Sequence, residues 1–295
     1  MPLPQGIPLG KGAAVGANGR SPLRYRKMFN KENMQNYQKI ALVGGVYSNY
    51  LALRETLRDA RKRGVDAVFC LGDLGAFGPH PDRACAILRE HNVPVVQGNY
   101  DNSIGNNLQD CQCGYTDPRD NYFAKISYDY TYQNTSNGNK RWMKTLPPEI
   151  RLQMGDYRVL LCHGSPRKMN EFLWESTTPT HFLTKLCRDF DADIICATHT
   201  GIHWRRELPD DKYFANVGVI GRPENDGRTN VGYMILEIGE KPAFTYAPIE
   251  YDYQRLAREM RAEKLPEEFI ETVLTGWWTT CLEILPAKER IRGKY

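Results

Sequence analysis

The sequence predicts an α/β protein with a largely parallel sheet. Short apolar runs recur at Lys39–Val43, Ala67–Leu71 and Val93–Gln97, each the length of a buried strand. Between them lie stretches whose apolar residues follow helical spacing. Gly, Pro or a capping residue marks the junctions.

The elements follow in order. Residues 1 to about 36 are rich in Gly, Pro, Asn and basic residues and show no period, so they read as a disordered basic extension. Lys39–Val43 is the first strand, broken by Gly44 and Gly45. Ser48 or Asn49 is a suitable N-cap for a helix through Arg63, with Leu53, Leu57 and Ala60 on one face and Gly64 as its stop. Ala67–Leu71 is the second strand, and Gly72–Gly78 a flexible loop. Pro81 opens a helix to about Glu90. Val93–Gln97 is the third strand, ended by Gly98.

From 102 to 135 the rhythm is interrupted by a polar, aromatic, turn-rich segment, read as an insertion of the lid or substrate-loop kind. A helix near Lys140–Thr145 stops at Pro147 and Pro148. Ile150–Met154 and Arg158–Cys162 form a hairpin turning at Gly155 and Asp156. Further strands fit Asp193–Ala197, Tyr213–Val217, Val231–Ile238 and Ala243–Ala247. Two helices follow, Asp252–Ala262 and Glu267–Ile284. The expected division is an extension (1–36), a body (37–248) carrying the 102–135 insertion, and a C-terminal helical extension (249–295).

Composition narrows the class. The chain has 295 residues, 41% hydrophobic and 25% charged, which excludes collagen, wholesale disorder and a membrane bundle. No apolar run approaches the roughly 18 residues of a spanning helix. The opening Met1-Pro-Leu-Pro-Gln-Gly-Ile7 lacks the features of a signal peptide, so a cytoplasmic address is expected. Net charge is +4, but residues 1–40 hold seven Lys/Arg against Glu32 alone. A basic tail on a near-neutral body argues against a nucleic-acid-binding domain. Eight scattered cysteines in such a chain read as buried reduced thiols. Only Cys111 and Cys113 form a close pair; they are too closely spaced for a zinc ribbon, and a redox or metal role is the alternative for them.

Polar groups stand just after apolar strands at Asp73, Asn99, His163 and His199. Strand carboxyl ends are where sites collect in α/β sheets. One carboxylate, one amide carbonyl and two imidazoles suit Mn, Fe, Ni or Zn better than Ca or Mg. Phosphate recognition would draw on nearby cations: Arg167, Arg222 and Arg228.

Four motifs, Gly72-Asp73, Gly98-Asn99-Tyr100-Asp101, His163-Gly164-Ser165-Pro166 and Thr198-His199-Thr200, resemble successive motifs of the calcineurin-like metallophosphoesterases. They are most similar to those of the small bacterial phosphodiesterases. The likeness runs from about Lys39 to Ala247. It implies a four-layer α/β/β/α sandwich with a two-metal site. Asp73 then takes the bridging place, Asn99, His163 and His199 complete the second metal's shell, and Asp101 is structural. Tyr100 stands where the family often has a general-acid His.

The first metal's ligands are substituted. Gly45 and Tyr47 replace the Asp and His of the opening motif, and Gly201 replaces the last His of the fifth. His203 or Tyr47, as a phenolate, are candidates to rebuild that site, as is Asp101. The alternative for His203 is stacking on Trp204. The resulting expectation is a metal-dependent phosphoesterase acting on a small phosphorylated substrate, a phosphodiester or nucleotide-type phosphate, through a reduced site. The alternative is an inactive binding or scaffold protein of the same fold. Tyr115, Tyr122 and Trp174 are placed either to stack on a base or to cover the sandwich edge. Trp277 and Trp278 either cap the sandwich or form a partner surface.

Overall fold

The computed structural model describes residues 37–291. The extension expected over 1–36 lies outside the described residues. The chain runs β1 (Lys39–Val43), α1 (Tyr50–Lys62), β2 (Ala67–Cys70), α2 (Pro81–Glu90), α3 (Asn99–Gly105), α4 (Pro118–Asn134) and α5 (Asn137–Thr145). It continues with β3 (Glu149–Met154), β4 (Tyr157–Cys162), α6 (Thr180–Asp189), β5 (Ile194–Ala197), β6 (His203–Leu208) and β7 (Lys212–Val217). It closes with β8 (Val231–Ile238), β9 (Pro242–Ile249), α7 (Tyr253–Ala262), α8 (Glu267–Thr275) and α9 (Ala287–Ile291).

Two sheets form, ordered β2-β1-β8-β9 and β3-β4-β5-β7-β6. Only β1–β2, β4–β5 and β5–β7 are parallel. The expected largely parallel sheet is therefore corrected to two mixed ones. The strand–helix alternation that suggested it fades beyond residue 100, where short turns make antiparallel pairs such as β3–β4, β6–β7 and β8–β9.

Strand periodicity places the core. Ile40, Leu42, Met234 and Leu236 face Val159, Leu161, Ile194, Cys196 and Val217 between the sheets. The alternate residues of β1, Ala41 and Val43, face a layer containing Leu53, Leu88, Leu256, Met260 and Phe269. Leu160, Cys162, Ile195 and Phe214 face Leu183, Leu186 and Cys187 on the far side. Burial on both faces explains why these strands read as unbroken apolar runs. The four-layer arrangement is the one implied by the resemblance.

Several elements differ from expectation. Val93–Gln97 forms no strand beyond a single bridge from Val95 to Cys70; Pro94 has no N–H to extend the ladder. The 102–135 segment is mostly helical. Asp117 caps α4 through the Arg119 and Asp120 N–H groups, with Pro118 in the first turn. Its buried face includes Asp120, Ser127 and Thr131 beside Phe123, Ala124 and Tyr128, so a hydrophobic period is missing although a helical face exists. The helix expected through Ile284 stops at Thr275, because Gly276 adopts a left-handed φ of 74°. The α6 helix and β6 were not anticipated; β6, with Arg205, Arg206 and Glu207, is a charged edge strand.

Asp193 ties the second sheet together. It accepts bonds from Arg158 Nε and Nη2 at 2.8 Å and from Lys212 Nζ at 3.0 Å. Those Arg158 bonds, with help from Lys212, hold its carboxyl below the usual range against the opposing effect of burial. A depressed folded pKa gives stability above the unfolded value that is lost as pH falls through the folded one. Asp193→Asn should cost about 1–2 kcal/mol at pH 7, and the gap from wild type should shrink as pH falls below about 4. Chemical denaturation across pH checks this; a pH-independent gap would contradict it.

Candidate metal centre

The site forms where strand ends and loops of both sheets meet. Asp73 follows β2 with a left-handed φ of 56°. Its backbone N–H donates to Asp101 Oδ2 at 2.8 Å, and the Leu74 and Gly98 N–H groups donate to the same carboxylate. Asp101 thus locks the Asp73 loop to the start of α3. Gly72 makes that closeness possible, since a Cβ there would overlap the Gly98 backbone. Asn99 opens α3, His163 follows β4, and His199 follows β5 with a φ of 72°.

The four side chains converge. His163 Nε2 lies 3.1 Å from Asn99 Oδ1, 3.2 Å from Asp73 Oδ2 and 3.2 Å from His199 Nδ1. All four residues are buried. Ligands about 2.0–2.2 Å from a shared transition-metal ion sit at about this mutual spacing. His163 Nδ1 donates to the Leu71 carbonyl at 2.6 Å, directing Nε2 to the cluster. Asn99 Nδ2 donates to the Cys111 carbonyl at 2.9 Å, which turns Oδ1 inward. Lone pairs aimed at one point out of contact with water call for a cation between them. The residues therefore fit a divalent ion.

The titratable groups of the cluster act on one another. Burial raises the Asp73 carboxyl, but His163 and His199 pull it below its ordinary value. Burial lowers the His163 imidazole, but Asp73 and the Leu71 carbonyl raise it overall. Burial, reinforced by His163, drives His199 down to about 3, which leaves a neutral ring suited to ligation. Its Nε2 is buried with no hydrogen-bond partner.

Side chains crowd the substituted positions of the opening and fifth motifs. A Cβ on Gly45 would lie 2.5 Å from the Tyr47 ring, and one on Gly201 would lie 3.0 Å from Trp278. Burial, then Asp73, raises the Tyr47 phenol far above its usual pKa. His203 is held by Glu224 at 2.6 Å and stacks on Tyr246, not Trp204, with centroids 3.5 Å apart. Asp101 is spent on backbone N–H groups.

The remaining candidates separate. Tyr100 touches the cluster through its backbone N–H, which donates to Asp73 Oδ1 at 3.0 Å. Its hydroxyl donates instead to Ser127 at 3.0 Å, and burial raises its pKa strongly; a general-acid phenol is not supported. Arg167 is half-exposed, ion-paired with Glu171 and set over Phe182. Arg228 is exposed and bonded to Asp226 at 2.7 Å. Arg222 is different: it is buried, with its guanidinium 3.5 Å from the Trp278 ring centroid and 4.8 Å from that of Phe77. Its Nε has no partner, and no carboxylate among the described residues lies within ion-pair distance. Trp278 is fully buried, so the Trp pair is no exposed partner surface.

Sequence reasoning missed the cover over the site. Phe172 lies 4.3 Å from the His199 ring and stacks on both Tyr115 and Trp174. Tyr115 and Trp174 thus serve as cover, while Tyr122 is exposed. Cys111 and Cys113 form a disulfide, against the expectation of reduced thiols. Gln112, at a φ of 51°, folds the chain back between them. The other six cysteines are free and buried.

The chain belongs to the calcineurin-like phosphoesterase superfamily, whose domain profile matches residues 39–241. An uncharacterised protein of Methanocaldococcus jannaschii is 25% identical over 252 residues, covering 80% of this chain and 98% of that one. A metallophosphoesterase from Sphaerobacter thermophilus is 24% identical with a TM-score of 0.61, covering 82% of this chain and 100% of its own. A hypothetical protein from Pyrococcus horikoshii reaches 0.67 at 18% identity, covering 82% and 99%. Members of this family bind divalent metals, and Asp73, His163 and His199 form a cluster able to hold one. No helix among the described residues is long and apolar enough to cross a membrane.

Proposed function

We propose that the chain hydrolyses a small phosphodiester or nucleotide-type phosphate with one divalent transition metal. The observation that carries this is the preformed cluster, whose donor atoms approach His163 Nε2 to within 3.1–3.2 Å. Asp73, Asn99, His163 and His199 would hold the ion. When bound, a divalent ion supplies Lewis-acid charge to a phosphoryl oxygen and makes a water more acidic. Asp101 fixes the Asp73 loop, and the Leu71 carbonyl fixes the His163 tautomer. The filled spaces beside Gly45 and Gly201 support a one-metal reading. Arg222, caged by Trp278 and Phe77, supplies fixed positive charge beside Gly201, on the side where the first ion's ligands are missing. A preoriented cation can stabilise charge building on the phosphoryl group. The six buried free thiols are in keeping with a cytoplasmic address.

The scaffold alternative has its own support: the Tyr47 ring crowds Gly45, where the family has an Asp, and Phe172 covers His199. Hydrolysis of a bis-aryl phosphodiester decides between them. Wild type should turn over with Mn²⁺, stop with a chelator and recover with added metal. Arg222→Met should lower kcat/KM about 100-fold with little change in Tm. Metal binding without turnover above buffer, on both diester and nucleotide substrates, would establish the alternative.

A further inference from the structure

Arg222 is 5% exposed, and its Nε has no hydrogen-bond partner. Among the described residues no carboxylate lies within ion-pair distance of it. Its Cζ lies 3.5 Å from the Trp278 ring centroid, 4.8 Å from that of Phe77 and 6.0 Å from that of Tyr47. Ring faces return part of what a cation loses on leaving water, but less than full desolvation costs. The acidic groups nearby do not make up the difference. Tyr47, Tyr115 and Cys281 all feel the Arg222 charge, yet burial raises each of them, so they stay protonated at neutral pH. A buried cation with a free donor and no counter-charge calls for an anion.

The same residue forms part of the wall of a cavity of about 10 Å³, with Phe77, Gly78, Gly221, Phe269 and Thr280. No other charged residue lines it. That volume holds a single occupant about the size of a water. Size therefore selects the anion. A phosphate or carboxylate, with several oxygens around a central atom, does not fit. A halide is one atom, little larger than water, and carries the charge the guanidinium lacks.

We propose that this cavity is a halide site, in which chloride sits against the guanidinium of Arg222. The site needs no metal and is independent of the hydrolysis reading. A Cβ on Gly201 would lie 3.7 Å from Arg222 Nη2, so the same group also reaches the loop that carries His199. A halide in the cavity holds the guanidinium between Trp278 and Phe77 and offsets its charge. Chloride concentration then sets how much positive charge Arg222 presents toward Gly201.

Bromide is the probe, since its anomalous scattering separates it from water. Crystals of the full chain in sodium bromide, measured at the bromine edge, should show a peak in the cavity within hydrogen-bond reach of Arg222 Nε. In solution, bromide replacing gluconate at constant ionic strength should raise Tm saturably, by about 2 °C at ten times its dissociation constant. Arg222→Met should lose both the peak and the bromide-specific rise. Bromide peaks at exposed cations alone would mean an adventitious ion only and would overturn the proposal. So would density in the cavity with no anomalous signal, which marks a water. A peak beside Arg222 with equal Tm in bromide and gluconate would show binding at crystal concentration only, and would overturn it as well.

Discussion

Asp73→Asn should eliminate Mn²⁺-dependent phosphodiester hydrolysis while leaving the chain folded. Asparagine suits this test on physical grounds. It tolerates the left-handed backbone at φ 56°. It also keeps an oxygen for the Tyr100 N–H, which now donates to Asp73 Oδ1. What it removes is the charge that opposes His163 and anchors a cation. Outer-shell partners of metal ligands are worth about 10–100-fold in affinity or activity. A charged ligand in contact with the ion should exceed that, and a loss of about 1,000-fold is expected. Titration calorimetry with Mn²⁺, hydrolysis rates and circular dichroism together check it. Turnover within about tenfold of wild type, with native dichroism, would show that catalysis does not pass through this cluster.

Gly44→Ala should produce the largest loss of stability. A Cβ at Gly44 would overlap the Gly218 carbonyl oxygen and lie 2.5 Å from Thr198 Oγ1. Those two atoms are themselves hydrogen-bonded at 2.6 Å, so neither can retreat freely. The loop after β1 and the loops after β5 and β7 meet here, and a methyl group would wedge the two sheets apart. Overpacking at such a contact, with a buried hydrogen bond broken, should cost at least about 4 kcal/mol. In a domain of this size that lowers Tm by about 10 °C or more. A melting curve within about 2 °C of wild type would show the loops more yielding than the contact implies.

Much of this was legible because burial leaves a trace in sequence. β1 and β8 are apolar on both faces, so their runs announced themselves, and β8 was read to its last residue. The candidate ligands stood out because polar groups at strand ends interrupt those runs. Other features carry no such trace. The inward face of α4 includes Ser127 and Thr131, which serve the Phe77 N–H, the Tyr100 hydroxyl and one helix carbonyl, so polarity hid a helix. Edge strand β6 is charged because it must discourage pairing. Phe172 over His199 joins residues far apart in sequence, and no local pattern reports that. Arg222 was visible as a cation, but its aromatic cage depends on Trp278 arriving from the end of the chain. Arg167 and Arg228 were visible beside motif residues, but their pairing with Glu171 and Asp226 was not read.

The order of strands in the first sheet bears on how the chain is made. β1 ends at Val43, yet its antiparallel neighbour β8 begins only at Val231. While the ribosome is still delivering the intervening segment, β1 and β2 can pair with each other, but the β8 side of β1 stays unpaired. Native sheets of this connectivity are completed late and slowly, since distant segments must find each other. A nascent chain halted before Val231 displays an open strand edge flanked by Ile40 and Leu42. Such chains invite chaperone capture or aggregation, and ribosome-stalled lengths on either side of β8 should differ sharply in protease resistance.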